Sequence, residues 1–265
     1  MKFITDQILT TYTRIVRQHM KKILLQILIL ILLTSCSNQE QIKFDKGILW
    51  EIESKSGIKS YIYGTIHLYP KTEIQISEKV FSKIENCKTL ALEIDSTNEK
   101  EQKKLSNFQM PEYLLESYKI IISEYGNELV SMEDQFIKKA RSANVNIFGL
   151  ESVDEIISIL KRIKNLKISD DIFIMDEMLV DYRKSLVMYN EESIEDIKES
   201  MKIQMGDEIT KMLIDERNEN WIKNINLIVE KESTFIAIGI GHLGGEKGIL
   251  NLLIENGFKL ERIEL

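Results

Sequence analysis

A chain of 265 residues suits one domain, or two at most. Its 43% hydrophobic and 29% charged residues are those of a globule that can bury a core, and two prolines with 12 glycines leave no room for a long low-complexity linker. The first 35 residues hold five Lys/Arg and one Asp, so the rest carries 30 Lys/Arg against 41 Asp/Glu, an acidic surplus that argues against a nucleic-acid partner.

Met20-Lys21-Lys22 and the apolar run Ile23 to Leu33 read as the basic and hydrophobic parts of a secretory signal. The run is too short to cross a bilayer, which takes about 20 residues. It closes on Leu33-Thr34-Ser35-Cys36, which resembles a bacterial lipobox, so residues 1–35 are expected to be removed and Cys36 lipidated. Met20 then reads as the true start, residues 36–46 as a polar tether, and 47–265 as the folded domain. Such an anchor places the domain at the bacterial cell envelope. Cys87, flanked by Asn86 and Lys88, has no cysteine or histidine near it in sequence and reads as a small semi-buried side chain.

Within the domain, runs 48–53 and 59–64 pair as a hairpin across the turn at Ser54 to Gly57. The second run, Tyr61-Ile62-Tyr63-Gly64-Thr65-Ile66-His67, breaks at a glycine and reaches a histidine three residues later. A helical pattern from Ser77 to Asn86 follows, then the strand Thr89 to Ile94, which carries Glu93. From Pro111 a helix presents Leu114, Leu115, Tyr118, Ile121 and Ile122 on one side. Another covers Ser131 to Ala143 and leads into Asn146 to Glu151, a strand ending on a carboxylate. Ser152 with Glu155 forms a capping box for the next helix.

Residues 152–231 read as three or four consecutive helices. One starts at Ser169 to Asp171, with a stripe of Ile172, Met175, Leu179, Tyr182, Leu186 and Tyr189. Six of the ten methionines fall between Met175 and Met212. They suit either an adaptable groove for an extended peptide or a helical core at core-facing spacing. The helix from Asp207 to Glu230 carries Ile214, Trp221, Ile225 and Ile228 on its apolar stripe, with Asn218 on that stripe and Arg217 beside it. A buried guanidinium wants a carboxylate, and Glu151 and Glu93 are the strand-end candidates. The alternative is a stem that snorkels to solvent.

Phe235 to Leu243 then repeats the earlier pattern, with Gly239 followed three residues later by His242. A helix over Gly244 to Asn256 and a closing strand over Phe258 to Ile263 complete the echo. The fold class is therefore α/β: a central mixed sheet flanked by helices, with two strand–GxxH–helix–strand units and a helical insertion between them; the units either share a pseudo-two-fold or are a chance likeness between two ordinary βαβ units. The chain has three histidines, and His19 precedes the export segment. His67, His242 and Glu93, all at strand ends, make a two-histidine, one-carboxylate set that could hold a catalytic divalent ion (Mn, Co or Zn).

The stretches Tyr63-Gly64-Thr65-Ile66-His67, Leu90-Ala91-Leu92-Glu93, Gly149-Leu150-Glu151-Ser152, Glu216-Arg217-Asn218-Glu219-Asn220-Trp221 and Gly239 to Gly248 together resemble the TraB/GumN family, which is related to the TIKI metalloproteases that cleave Wnt proteins. The resemblance spans residues 48 to 265. It implies a domain akin to erythromycin esterases and haem-binding ChaN-type proteins, with His67, His242 and Glu93 as active-site residues. Glu151, Arg217 and Asn218 match further family positions. Three readings stay open at this point. The first is a metal-dependent peptidase acting on a peptide or protein, with Glu151 or Glu93 as general base. The second is a metal-free esterase-type hydrolase using His67 or His242. The third is an envelope binder of peptide or haem without catalysis.

Overall fold

The structure is a computed structural model that describes residues 44–110, 112–166 and 175–265. The export segment, Cys36, most of the tether and the Ser169 to Asp171 helix start lie outside these residues. Among them, no helix is long and apolar enough to cross a membrane.

Six strands form a mixed sheet: β1 (Leu49–Glu53), β2 (Lys59–Thr65), β4 (Thr89–Ile94), β6 (Asn146–Glu151), β7 (Thr234–Gly239) and β8 (Lys259–Arg262), in the order β6-β4-β7-β2-β1-β8. A separate two-stranded ribbon pairs β3 (Leu68–Pro70) antiparallel with β5 (Leu129–Ser131). The helices in chain order are α1 (Glu78–Glu85), α2 (Glu99–Asn107), α3 (Glu112–Tyr125), α4 (Met132–Ser142), α5 (Val153–Lys164), α6 (Met175–Asn190), α7 (Ile194–Met205), α8 (Asp207–Thr210), α9 (Glu216–Lys231) and α10 (Ile249–Glu255).

The β1–β2 hairpin forms as expected, with Trp50 opposite Ile62. Strands β2, β7, β4 and β6 are mutually parallel. The connections β2–α1–β4 and β4–α4–β6 step toward one edge of the sheet, whereas β7–α10–β8 steps toward the other. Right-handed crossovers therefore put α1 and α4 on one face and α10 on the opposite one. Packing agrees: α1 lies on α4, and α9 lies on α10. On the first face Phe136 of α4 meets Tyr63, Phe81 and Phe235 edge-on. On the second, Trp221, Ile225 and Val229 of α9 are buried with Leu250 and Leu253 of α10.

Because the chain leaves β2 one way and β7 the other, the boundary between these two neighbours is a topological switch point, where α/β sheets open a crevice at the carboxyl ends of their strands. His67 and His242 follow those two strand ends.

Several expectations need correcting. The two strand–GxxH–helix–strand units are not related by a true two-fold, because β1 stands between β2 and β8 while β4 lies directly beside β7. The register also pairs Gly64 with Ile238 and Thr65 with Gly239, so the two glycines are offset by one residue. The expected Asp207 helix is interrupted by a π-helical turn at Lys211–Asp215. The expected Gly244 helix begins only at Ile249. Before it Gly245 sits at φ +81°, and a Cβ on Gly248 would lie 2.3 Å from the Gly244 carbonyl oxygen, so the preceding residues form a tight loop. On α3, Leu115 and Ile122 are exposed, whereas Tyr118 and Ile121 border the crevice, so the apolar face is narrower than its residue types imply.

Candidate active site

Four parallel strands end at the crevice, and each delivers one polar group: His67 after β2, Glu93 from β4, Glu151 from β6 and His242 after β7. Helix α9 brings Arg217 and Asn218 in from the second face, and both are buried. All six residues singled out from the sequence thus meet in one place. The π-helical turn helps to set them. Turns of this kind re-aim side chains and cluster at functional sites, and here the Leu213 carbonyl accepts a hydrogen bond from Arg217 Nη1 at 3.1 Å.

Arg217 is the hub. Its Nε donates to both oxygens of Glu151 at 3.0 and 3.2 Å, and its Nη2 donates to Glu93 Oε2 at 2.6 Å and also to Glu151 Oε1. Side-chain exposures of 8% for Arg217 and 5% for Glu151 rule out a snorkelling stem. The guanidinium also lies over the Trp221 ring, 4.5 Å from its centroid. Trp221 Nε1 donates to Glu151 Oε2 at 3.1 Å. Both oxygens of Glu151 are therefore occupied, and the residue stands behind Arg217 rather than on the crevice wall. Burial pushes its pKa up, with Arg217 and Trp221 offsetting part of that effect. Burial acts on Glu93 in the same direction, but there the Arg217 charge, the two histidines and the Gly239 N–H outweigh it and hold the carboxyl well below the usual range. That N–H donates to Glu93 Oε1 at 2.7 Å.

Asn218 determines the tautomer of His242. Its Nδ2 donates to the carbonyls of His242 and Lys247 at 3.1 and 2.7 Å, so its Oδ1 must accept, and His242 Nδ1 donates to it at 2.6 Å. The Nε2 lone pair is left facing Arg217 Nη1 at 3.2 Å and Glu93 Oε1 at 3.9 Å. Burial is the largest influence on this imidazole and lowers its pKa to about 3, with Glu93 opposing and Arg217 adding to the fall.

His67 is held by a residue the sequence reading overlooked. Its Nδ1 donates to Glu133 Oε1 at 2.8 Å, and Thr65 Oγ1 donates to the same oxygen at 2.9 Å. The ring is hemmed in by protein yet faces the open crevice, with 57% of its side chain exposed. Enclosure by protein works against its charge, but the Glu133 hydrogen bond and charge prevail and raise its pKa to about 9. Glu133 occupies the first turn of α4, where an acidic residue reads as ordinary helix-end compensation. The β3–β5 ribbon, which sets Leu68 opposite Ser131, and the Met132 N–H, which donates to the His67 carbonyl at 3.2 Å, carry it to His67.

The three inner groups converge on one point. A Cβ built on Gly239 would lie 3.3 Å from Glu93 Oε1, 3.6 Å from His242 Cδ2 and 3.9 Å from His67 Nε2. Above it opens a cavity of about 400 Å³. Its walls are mostly apolar, formed by Tyr118 and Ile121 of α3, Tyr182 of α6, Met201 and Met205 of α7, and Ile214. The methionines therefore divide. Met201 and Met205 border the cavity, and Met212 belongs to a small separate core with Ile159 and Ile163. Cys87 is buried, and burial, slightly opposed by Lys83, pushes its thiol up to about 12, as expected of an inert side chain.

The sequence profile of the TraB/PrgY/gumN family matches residues 48–119 and 113–262, two overlapping stretches that take in every strand and every site residue described above. The chain belongs to the TraB/PrgY/gumN family. No curated protein is similar enough to match. The stretches Thr65 to His67 and Gly239 to His242, both within the matched residues, border a single crevice.

Proposed function

We propose that this TraB-family chain is a metal-dependent hydrolase of the cell envelope, acting on peptides that carry an apolar side chain beside the scissile bond. The observation that carries the reading is the outer arrangement of the two histidines. Each has its Nδ1 committed to a fixed oxygen, Glu133 for His67 and Asn218 for His242, which is how histidine ligands are oriented in metal sites. The remaining donors, His67 Nε2 and Glu93 Oε1, gather around Gly239 with the edge of the His242 ring, whose Cδ2 adjoins Nε2. Among the described residues, no three His, Cys, Asp or Glu side chains stand at ligating distances already. The 3.9 Å between Glu93 Oε1 and His242 Nε2 is nevertheless close to what two atoms bonded to one ion at about 2.0–2.2 Å can span.

A divalent cation held there would acidify water and polarise a substrate carbonyl. The chain's own residues supply the rest. Arg217 keeps Glu93 ionised and offers a cationic edge to negative charge developing on the substrate. Glu151 and Trp221 hold that guanidinium in place, so Glu151 serves as its anchor and not as the general base. The apolar walls take an apolar side chain and exclude bulk water. Lipidation of Cys36 would tether the domain to a membrane.

A second reading follows from the Arg217 Nη1 contact, which occupies the His242 lone pair: a metal-free hydrolase in which His67 becomes the base only as pH rises through about 9 and its proton is lost. The deciding experiment measures hydrolysis of a peptide library and of simple esters by the chelated full-length chain, before and after adding Mn²⁺, Co²⁺ or Zn²⁺. Peptide cleavage that appears only with an ion, and is lost in His67→Ala and in His242→Ala, is expected. Full activity in the chelated protein would reject the metal.

A further inference from the structure

The sheet has two edges, and they are treated differently. At one, β8 carries Lys259, Glu261 and Arg262, the kind of charged edge that prevents strand addition. At the other, β6 reads Asn146-Ile147-Phe148-Gly149-Leu150 before Glu151, whose side chain turns inward to Arg217. This edge has no lysine, proline or bulge.

The pairing of β6 shows which of its backbone groups are open. Asn146 N–H donates to the carbonyl of Lys88, the residue before β4, and the parallel register places Leu90 opposite Ile147 and Leu92 opposite Gly149. Even-numbered residues therefore bond toward β4, while Ile147 and Gly149 turn their N–H and C=O groups outward. Two adjoining grooves of about 360 and 350 Å³ run along this edge, and Ile147 and Phe148 border both. Phe148 is 38% exposed and Leu227 of α9 is 65% exposed beside the strand, so apolar surface accompanies the open backbone.

We propose that the β6 edge is the interface of a two-fold homodimer in which the β6 strands of two copies pair antiparallel about Phe148. The register follows from which groups are open. Centring on Phe148 sets Ile147 of each copy opposite Gly149 of the other, so the outward N–H and C=O groups are exchanged in full. Phe148 then faces its own copy across a non-hydrogen-bonded pair, where side chains approach most closely.

Charge selects a second copy as the occupant. The groove end near Asn146 holds Lys231, which has no ion-pair partner among the described residues, with Glu232 beside it occupied by Thr89 Oγ1. The end near Ser152 is bordered by Asp95, Glu101 and Glu155. Glu101 is paired with Lys104, whereas Asp95 and Glu155 meet hydroxyl and backbone donors only. Antiparallel pairing brings the lysine end of each copy to the acidic end of the other, twice by symmetry.

The test measures the mass of the full-length chain in detergent by light scattering, alongside Phe148→Asp and Phe148→Cys in a Cys36→Ser background. The expected wild-type protein mass is twice that of one chain, falling to one chain in Phe148→Asp with unchanged circular dichroism. Mild oxidation should link Phe148→Cys into a covalent dimer, because paired Cα atoms about 4.5 Å apart lie within disulfide reach. A monomeric wild type, a dimer that survives Phe148→Asp, or a folded Phe148→Cys that does not cross-link would each overturn the proposal.

Discussion

His67 and His242 share a sequence motif but face opposite electrostatic surroundings. Glu133 holds a proton on His67 up to about pH 9, whereas burial keeps His242 neutral down to about pH 3. In the metal-free chain, the stability from the His67–Glu133 pair is fully present below the ordinary imidazole value of 6.5 and is lost as pH rises through about 9. His242 acts in the opposite sense: below 6.5 the unfolded chain binds a proton that the folded chain refuses, so stability falls as pH drops toward about 3. Imidazole NMR titration of the metal-free protein should find His67 titrating near 9 and moving down toward 6.5 in Glu133→Gln. An unmoved midpoint would remove Glu133 from its assigned role. Arg217→Lys keeps the charge but loses the fork shared by Glu93 and Glu151. Hydrogen bonds to charged groups contribute about 1.5–3 kcal/mol each, so denaturant unfolding should show a loss of at least that size. Unchanged stability would mean that the network does not depend on guanidinium geometry.

At the scale of elements, the strands and the site were largely legible in the sequence because their signals are local. A β-branched run that ends on glycine and histidine is a buried strand reaching a sheet end, and Arg217 on an apolar stripe announces a buried carboxylate partner. What was not legible depends on tertiary pairing. Residues Leu68 to Pro70 and Leu129 to Ser131 are each too short to declare themselves as strands, yet their ribbon delivers Glu133 to His67. The π-helical turn in front of α9 leaves no mark in an apolar period. A helical reading of Gly244 to Gly248 treats its glycines as tolerated helix positions, whereas backbone crowding and a positive φ require them. Gly239 links element to site. Its φ of −52° suits any residue, so Gly239→Ala should fold with a cost of about 1 kcal/mol or less. Its new methyl would nevertheless fill the point where Glu93, His67 and His242 converge. Calorimetry should therefore find cation binding abolished in a variant whose melting curve is nearly that of the parent. Retained binding would move the ion elsewhere.

For the whole molecule, the sheet order explains why His67 and His242, 175 positions apart, share a crevice: β2 and β7 are neighbours whose connections diverge to opposite faces. Helices α3, α6 and α7 wall that crevice, and α9 returns Arg217 to it. If the first 35 residues are an export signal, mass spectrometry of the membrane fraction should find an N-terminal Cys36 peptide carrying lipid. A membrane-extracted protein still starting at or before Ile23 would refute the anchor. The central claim is that His67, Glu93 and His242 act as one cation site, and it is tested most directly by anomalous diffraction from crystals of the chain soaked in Mn²⁺. The account predicts a single strong peak bonded to His67 Nε2, His242 Nε2 and a Glu93 oxygen, with Arg217 Nη1 moved off His242. A peak that lies away from these three side chains, or no peak with all three in place, would contradict it.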